Sequence, residues 1–394
     1  MIMIIKNARL ILPDRVVCGS AEFDGERIVR VTEGDHSVSP GEVLDANGMY
    51  LCPGFVDIHT HGGGGVDFMD ETSHDDALNF HAKNGTTSII PTAITAPPAL
   101  LRKFAQRVRA EKEKQATGIF TGARILGAHM EGPYLSQKNK GAHPQSCLLT
   151  PAHDSYDFLL ENADIIKTVT IAPELEGAAD MVKALRKAGI IVCGGHDDGR
   201  KSTLSPALSA GITHLTHLWC AMSKADMYDG VREVGLLEIG LTSPDMTVEI
   251  IADGYHMPPE LVKIVYTCKG ADGMCIVSDC LRAGGMPPDG RLWTLGRECD
   301  HLTEFIVGDG VAKLPDKTHL AGSIQPLSQM VRNLVFDCGI PLCDAVKMAT
   351  LTPAGVVGED KSIGSIEAGK RADLCLLDEN LNVNTVFIGG KKIV

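Results

Sequence analysis

The chain lacks an excess of positive charge, a cysteine framework and any long apolar run, and each absence removes a class of function. Its 37 Lys and Arg against 50 Asp and Glu leave a formal net charge of −13, whereas nucleic-acid and anionic-membrane partners call for clustered cations. No nucleic acid and no membrane is therefore expected as a partner, while a small anion in a local basic pocket stays allowed. The twelve cysteines are scattered without a C-x-x-C pair, which argues against a disulfide scaffold or a structural zinc cluster. They read as buried thiols in a reducing compartment. No apolar stretch approaches a membrane span, and the N-terminal one is too short for a signal peptide, so the expected location is cytoplasmic. Internal repeats and low-complexity tracts are missing, as are a G-x-S-x-G elbow and an H-E-x-x-H helix. Gly364 to Lys370 resembles a phosphate loop, but Arg371 stands where Ser or Thr would hold magnesium, so it reads as a turn.

What is present is a βα alternation. At 394 residues the chain suits one large α/β domain with an appendage, or two to three ordinary domains. Short alternating segments such as Ala8 to Leu12 and Arg27 to Val31 predict a small β unit at the start. From Phe55 onward, eight apolar strand candidates alternate with helix-like stretches: Phe55 to Ile58, Ser88 to Ala93, Ile125 to His129, Ile166 to Ile171, Ile190 to Cys193, His214 to His217, Val248 to Ala252 and Cys275 to Val277. Pro98 to Lys114, Ala178 to Lys187 and Pro259 to Lys269 carry spaced apolar positions and a charged face. Gln325 to Asp337 and Cys343 to Thr350 add two further helices. This pattern predicts a (β/α)8 TIM-like barrel over 53–354, whose working residues sit at the C-terminal strand ends. The tail returns to strand composition at Ala372 to Leu377 and Thr385 to Ile388. Since chain ends often lie close together, residues 1–52 and 355–394 are expected to form one small β-sandwich.

The chemistry gathers at the predicted strand ends. In Pro53-Gly54-Phe55-Val56-Asp57-Ile58-His59-Thr60-His61-Gly62, side chains alternate, so His59 and His61 face the same way, and two such imidazoles can grip one ion. Alone, the pair could equally be satisfied by hydrogen bonds. The third strand ends in His129-Met130-Glu131 just before Gly132-Pro133, the fifth leads to His196, and the sixth carries His214-Leu215-Thr216-His217. There His217 is expected to share a face with Leu215, with His214 on the other side or near the strand start. Barrel interiors are filled by hydrophobic residues, so histidines and a glutamate at one end point to a metal site instead. Asp279, after the eighth strand, is placed to take a proton from metal-bound water.

These residues, with HMEGPYL (129–135), KGAHP (140–144), GGH (194–196), THLWCAM (216–222), REVGL (232–236), ADGYH (252–256), VSD (277–279), LAGS (320–323) and the terminal GSIEAGKRADLCLLD, resemble the amidohydrolase superfamily. More narrowly, they resemble its family of N-acetylglucosamine-6-phosphate deacetylases, over nearly the full length. The resemblance implies a divalent metal held by Glu131, His196 and His217, and hydrolysis of the N-acetyl group of an amino-sugar phosphate. Retention of His59 and His61 suggests a second ion with Glu131 bridging, hence one or two ions; zinc leads, and iron, manganese and cobalt suit the same donors. Asp279 is implied as a further ligand and as general base, then acid, and His143 as sugar-binding or carbonyl-polarising. Cys220 and Ala221, His256, and Arg232 reaching across a homodimer are implied to bind the substrate. Cys220 stands where the family usually has Asn, which bears on phosphate specificity.

Two other readings stay open. Another amidohydrolase would act on an unphosphorylated N-acyl sugar, an N-acyl amino acid or a cyclic amide; relatives of that kind often carry a bridging Lys on strand four, where Lys167 lies at the wrong end. A barrel turned binding scaffold would be expected to have lost ligands, and this set is complete.

Overall fold

The computed structural model describes residues 2–34, 40–118, 122–296 and 303–394. Eight parallel strands form its centre: β1 (Phe55–Thr60), β2 (Thr86–Ala93), β3 (Ala128–Glu131), β4 (Ile166–Ile171), β5 (Ile191–Gly194), β6 (His214–Leu215), β7 (Thr247–Ile250) and β8 (Met274–Ile276). Each pairs with the next in chain order. Beyond the last ladder, Asp279 N–H donates to His59 O at 2.9 Å, and the His61 and Gly62 amides donate to Cys280 O at 2.9 and 2.8 Å. The end of β1 and the segment after β8 are thereby stitched together. The short strand Arg124–Ile125 is a third parallel partner of β2, after β1 and β3.

Helices cover the outside because one stripe of each is apolar. In Ala178–Lys187, Ala178, Met181, Val182 and Leu185 are buried, Asp180 lies in the first turn, and Arg186 and Lys187 close the last. That spacing buries one face, and the charges complement the helix dipole. Strand residues facing these helices, such as Val169, Ile171, Leu215, Val248 and Ile250, are fully buried and apolar. No helix among the described residues is long and apolar enough to cross a membrane, and the eleven described cysteines are free thiols.

The inner face departs from the expectation of an apolar filling. Alternation places Asp57, His129, Thr170, His214 and Glu249 inward, and Thr216, just beyond β6, joins them, all buried. Contacts between strands that are not neighbours, which can only run through the interior, confirm it. Thr170 Oγ1 on β4 meets Thr216 Oγ1 beyond β6 at 2.7 Å, and Glu249 on β7 meets His59 on β1 at 3.0 Å. His214 opens β6 and faces inward, while Leu215 packs outward near Gly240. His217 therefore does not share a face with Leu215. β6 ends at Leu215, so strand alternation no longer governs the direction of His217.

The chain ends meet. Leu374–Leu377 pairs antiparallel with Tyr50–Pro53 within an eight-stranded sheet that also holds Ile2–Ile11, Val16–Asp24, Arg27–Glu33 and Val383–Ile388. Period-two alternation splits its side chains. Leu51, Leu374, Leu376 and Phe387 join a separate apolar cluster, while Cys52, Cys375, Leu377 and Val386 join the main core. Two features went unread in the sequence: the hairpin Asp226–Tyr228/Val231–Glu233 and the three-stranded sheet Leu292–Leu295, Thr303–Gly308 and Val311–Lys313. Both are short insertions between barrel units.

Candidate active site

At the C-terminal mouth of the barrel lies a cavity of about 540 Å³ lined by His61, Glu131, His143, His196, His217 and Asp279, among others. Glu131, the last residue of β3, is its centre. One carboxylate oxygen, Oε1, lies 3.0 Å from His196 Nε2 and 2.8 Å from His217 Nε2. The other, Oε2, lies 3.2 Å from His61 Nε2, 3.5 Å from His59 Nε2 and 3.4 Å from His143 Nε2. Asp279 Oδ1 faces His61 Nε2 at 3.2 Å and His59 Nε2 at 3.7 Å.

The outer ring nitrogens decide what the inner ones offer, because a neutral imidazole carries a single proton. His196 Nδ1 faces Asn139 O at 2.9 Å and must donate, so its Nε2 presents a lone pair. That lone pair sits 3.2 Å from His217 Nε2. His59 Nδ1 donates to Glu249 Oε2 at 3.0 Å, and His59 Nε2 is buried without a hydrogen-bond partner. The lone pairs of His59 and His196 thus point toward the Glu131 carboxylate, an arrangement that fits a cation. Three overlapping sets have ligand atoms within 4.8 Å of one another: His59, His61 and Asp279; His59, Glu131 and His217; Glu131, His143 and His196.

His143 differs from the others. Its Nδ1 accepts the Thr95 backbone N–H at 3.2 Å, so its ring proton sits on Nε2 and points at the cavity as a donor. Burial pushes its pKa down to about 4, against the pull of Glu131, and the ring stays neutral. Charge builds on the remaining groups. Burial opposes protonation of His61, yet Asp279 and Glu131 push it up to about 9. Burial likewise works against ionisation of Glu131, but the surrounding histidines hold it well below the usual carboxylate range. Such a pocket attracts positive charge.

Local backbone sets these directions. His196, Trp219, Ala221 and Asp279 all have positive φ (49°, 75°, 44° and 44°), a costly conformation for non-glycine residues that tends to cluster at working sites. Gly141, also at positive φ, lets the loop pass over His196: an added Cβ would stand 3.2 Å from His196 Cε1. Asp197 anchors the opposite loop by accepting Ser223 N–H and Oγ–H at 3.0 and 2.5 Å.

Cys220, Ala221 and His256 line the same cavity. His256 is oriented by Asp253, which accepts its Nδ1–H and its backbone N–H, each at 2.8 Å. Arg232 is not brought to this cavity within its own chain; it is exposed on the hairpin Val231–Glu233. Lys167 pairs with Glu359 at 3.2 Å, away from the mouth. Sequence reasoning missed Glu249, Asn139 and Thr95. Asn139 meets His196 through its backbone carbonyl and leaves no side-chain signal there, and the Thr95 hydroxyl, 2.8 Å from His143 Nδ1, is one threonine among many, but Glu249, a carboxylate between Val248 and Ile250 in a buried strand, did leave one.

Imidazoles and carboxylates converging at the end of a barrel where enzymes keep their chemistry define a class, the metal-using hydrolase barrels. The chain belongs to the amidohydrolase family, whose model matches residues 50–393. It is 32% identical over 355 residues to N-acetylgalactosamine-6-phosphate deacetylase of Escherichia coli O157:H7, covering 89% of this chain and 90% of that one. It is 33% identical over 348 residues to N-acetylglucosamine-6-phosphate deacetylase of Vibrio furnissii, covering 87% and 82%. The crystal structure of N-acetylglucosamine-6-phosphate deacetylase from Pasteurella multocida superposes with a TM-score of 0.88 at 29% identity, covering 100% of this chain and 99% of that one.

Proposed function

We propose that this protein hydrolyses the N-acetyl group of N-acetylglucosamine 6-phosphate, giving glucosamine 6-phosphate and acetate, with the help of a divalent metal. The observation that carries this reading is the floor of the cavity. A lone-pair cluster suited to a cation lies there beside a carboxylate, Asp279, and an N–H donor, His143. The relatives, named as deacetylases of acetylamino-sugar phosphates, supply the substrate class.

Glu131, His196 and His217 would hold one ion, and His59, His61 and Asp279, sharing Glu131, a second. Zinc is the first choice, with iron, manganese and cobalt suited to the same donors. Such an ion, when bound, supplies Lewis-acid polarisation and lowers the pKa of bound water to about 7. Asp279 takes the proton of the attacking water and returns it to the amine nitrogen as the C–N bond breaks. His143 aims its Nε2–H at the carbonyl oxygen and stabilises the charge developing there. His256, Cys220 and Ala221 would receive the sugar phosphate, with Arg232 contributed by the second subunit of a homodimer, because a guanidinium fork matches phosphate. A phosphorylated sugar is charged and does not cross membranes unaided, which suits a cytoplasmic enzyme.

The test is acetate release from protein stripped by a chelator and reconstituted with each ion. The substrates are N-acetylglucosamine 6-phosphate, its galactosamine epimer and unphosphorylated N-acetylglucosamine. Stripped protein is expected to be inactive, an ion to restore turnover, and phosphate to be preferred. Activity that survives stripping, or equal rates with and without phosphate, would overturn the reading. Preference for the galactosamine epimer would move the substrate to N-acetylgalactosamine 6-phosphate, the sugar phosphate for which the Escherichia coli relative is named.

A further inference from the structure

We propose that Glu249, on β7, is a positioning residue that fixes the ion-facing geometry of His59 and His217 together, with His214 as its brace. Its side chain is buried in the barrel interior, and each oxygen has its own task. Oε2 accepts His59 Nδ1–H at 3.0 Å and the His217 backbone N–H at 3.2 Å. Oε1 faces His214 Nε2 at 3.0 Å, and His214 Nδ1 in turn faces Thr247 Oγ1 at 2.7 Å. The Glu249 carbonyl also accepts Leu218 N–H at 2.8 Å. One carboxylate therefore ties the end of β1, the turn after β6 and the start of β6 to β7.

The consequence lies in which ring nitrogen carries the proton. As long as Glu249 accepts from Nδ1, the proton of His59 is held away from the mouth and Nε2 stays a donor to a cation. The adjacent packing leaves the ring little choice: His129 meets it edge to face at 4.7 Å between centroids. His217 depends on the same oxygen through its main chain, at a point where β6 has ended and no ladder holds it. Partners of this kind, one shell behind a ligand, are worth about 10–100-fold in metal affinity.

This inference rests on the reading of the mouth as a divalent-metal centre, and the experiment separates the two. Metal content by mass spectrometry, cobalt affinity by competition with a chelator, and the absorption spectrum of the cobalt-loaded protein are compared for wild type, Glu249→Gln and Glu249→Leu. Gln keeps the volume but offers one acceptor oxygen where the carboxylate offers two; Leu offers none. Cobalt affinity is expected to fall about 10–100-fold in Glu249→Leu and less in Glu249→Gln, with a changed spectrum in both. Glu249→Gln is nearly isosteric and keeps the test open should the Leu variant not fold. A lowered melting temperature with unchanged affinity and spectrum in the folded variants would reduce Glu249 to a structural residue and overturn the proposal. Wild-type protein that binds no ion would overturn the metal reading and this inference with it.

Discussion

The terminal sheet and the barrel interior are both sealed from water, yet they are filled with opposite chemistry. The sheet buries Ile5, Leu10, Phe23, Leu51, Leu374, Leu376 and Phe387 on one another. The barrel encloses Asp57, His129, Thr170, Thr216, His214 and Glu249, joined by directed bonds. His129 Nε2 meets Thr170 Oγ1 at 2.8 Å, and its Nδ1 meets Thr92 Oγ1 at 3.3 Å. An apolar core is stabilised by area and volume and tolerates rearrangement. A polar network fixes one arrangement, and each unmet partner in it is costly. Burial alone pushes Asp57 up to about 7 despite hydrogen bonds from Ser278 and His59. The barrel thus gives up easy stability to hold imidazoles in set orientations, and the sheet carries no such demand.

If that contrast is right, substitutions in the two regions should fail in different currencies. The largest effect is expected at the mouth. Asp279→Asn should lower kcat by about 10²–10⁴, the usual share of a general acid–base group, while mass spectrometry still finds the ion held by Glu131, His196 and His217. Wild-type turnover in that variant would end the proton-transfer role. Next comes Phe387→Ala in the sheet, where Phe387 stands edge to face with Phe23 at 5.5 Å. It should cost about 3–5 kcal/mol in urea unfolding, with kcat per folded molecule unchanged. Smaller again is Thr170→Val, which keeps shape but strips the hydroxyl shared by His129 and Thr216. A loss of about 1–3 kcal/mol is expected, and a neutral result would show that the interior network is not needed for stability.

The apolar pattern made the outside of the barrel legible and its inside illegible. Ile166 to Ile171 and Ala178 to Lys187 emerge with the bounds read from the sequence, because helix-facing apolar residues alternate cleanly with polar punctuation. His59 and His61 were readable from strand alternation, and Glu131 from the Gly-Pro that follows it. The inner face was misjudged because packing rules predict apolar filling, whereas here the filling supports the site. Glu249 could have been found by asking why a carboxylate interrupts a strand buried on both sides. His217 reached the mouth by a route alternation does not describe, since β6 stops at Leu215. Arg232 lies on a hairpin of two three-residue strands, too short to leave an alternation to read, and the short strands after Leu292 gave no periodicity to detect.

The smallest expected effect bears on substrate choice at the cavity wall. Cys220 sits between Trp219 and Ala221, both at positive φ, with its amide donating to His217 O at 3.0 Å, so the turn holds its side chain on the cavity lining. Burial, with Asp279 and Asp253 nearby, pushes its thiol up to about 12. It therefore stays protonated, a weak hydrogen-bond donor where an amide would be a stronger one. Cys220→Asn should lower KM for N-acetylglucosamine 6-phosphate by roughly fivefold, about 1 kcal/mol for one improved hydrogen bond, and leave kcat unchanged. The same substitution should not alter KM for the unphosphorylated sugar. Equal shifts for both substrates would move Cys220 away from the phosphate and toward the sugar ring, and a fall in kcat would tie it to the positioning of Asp279 instead.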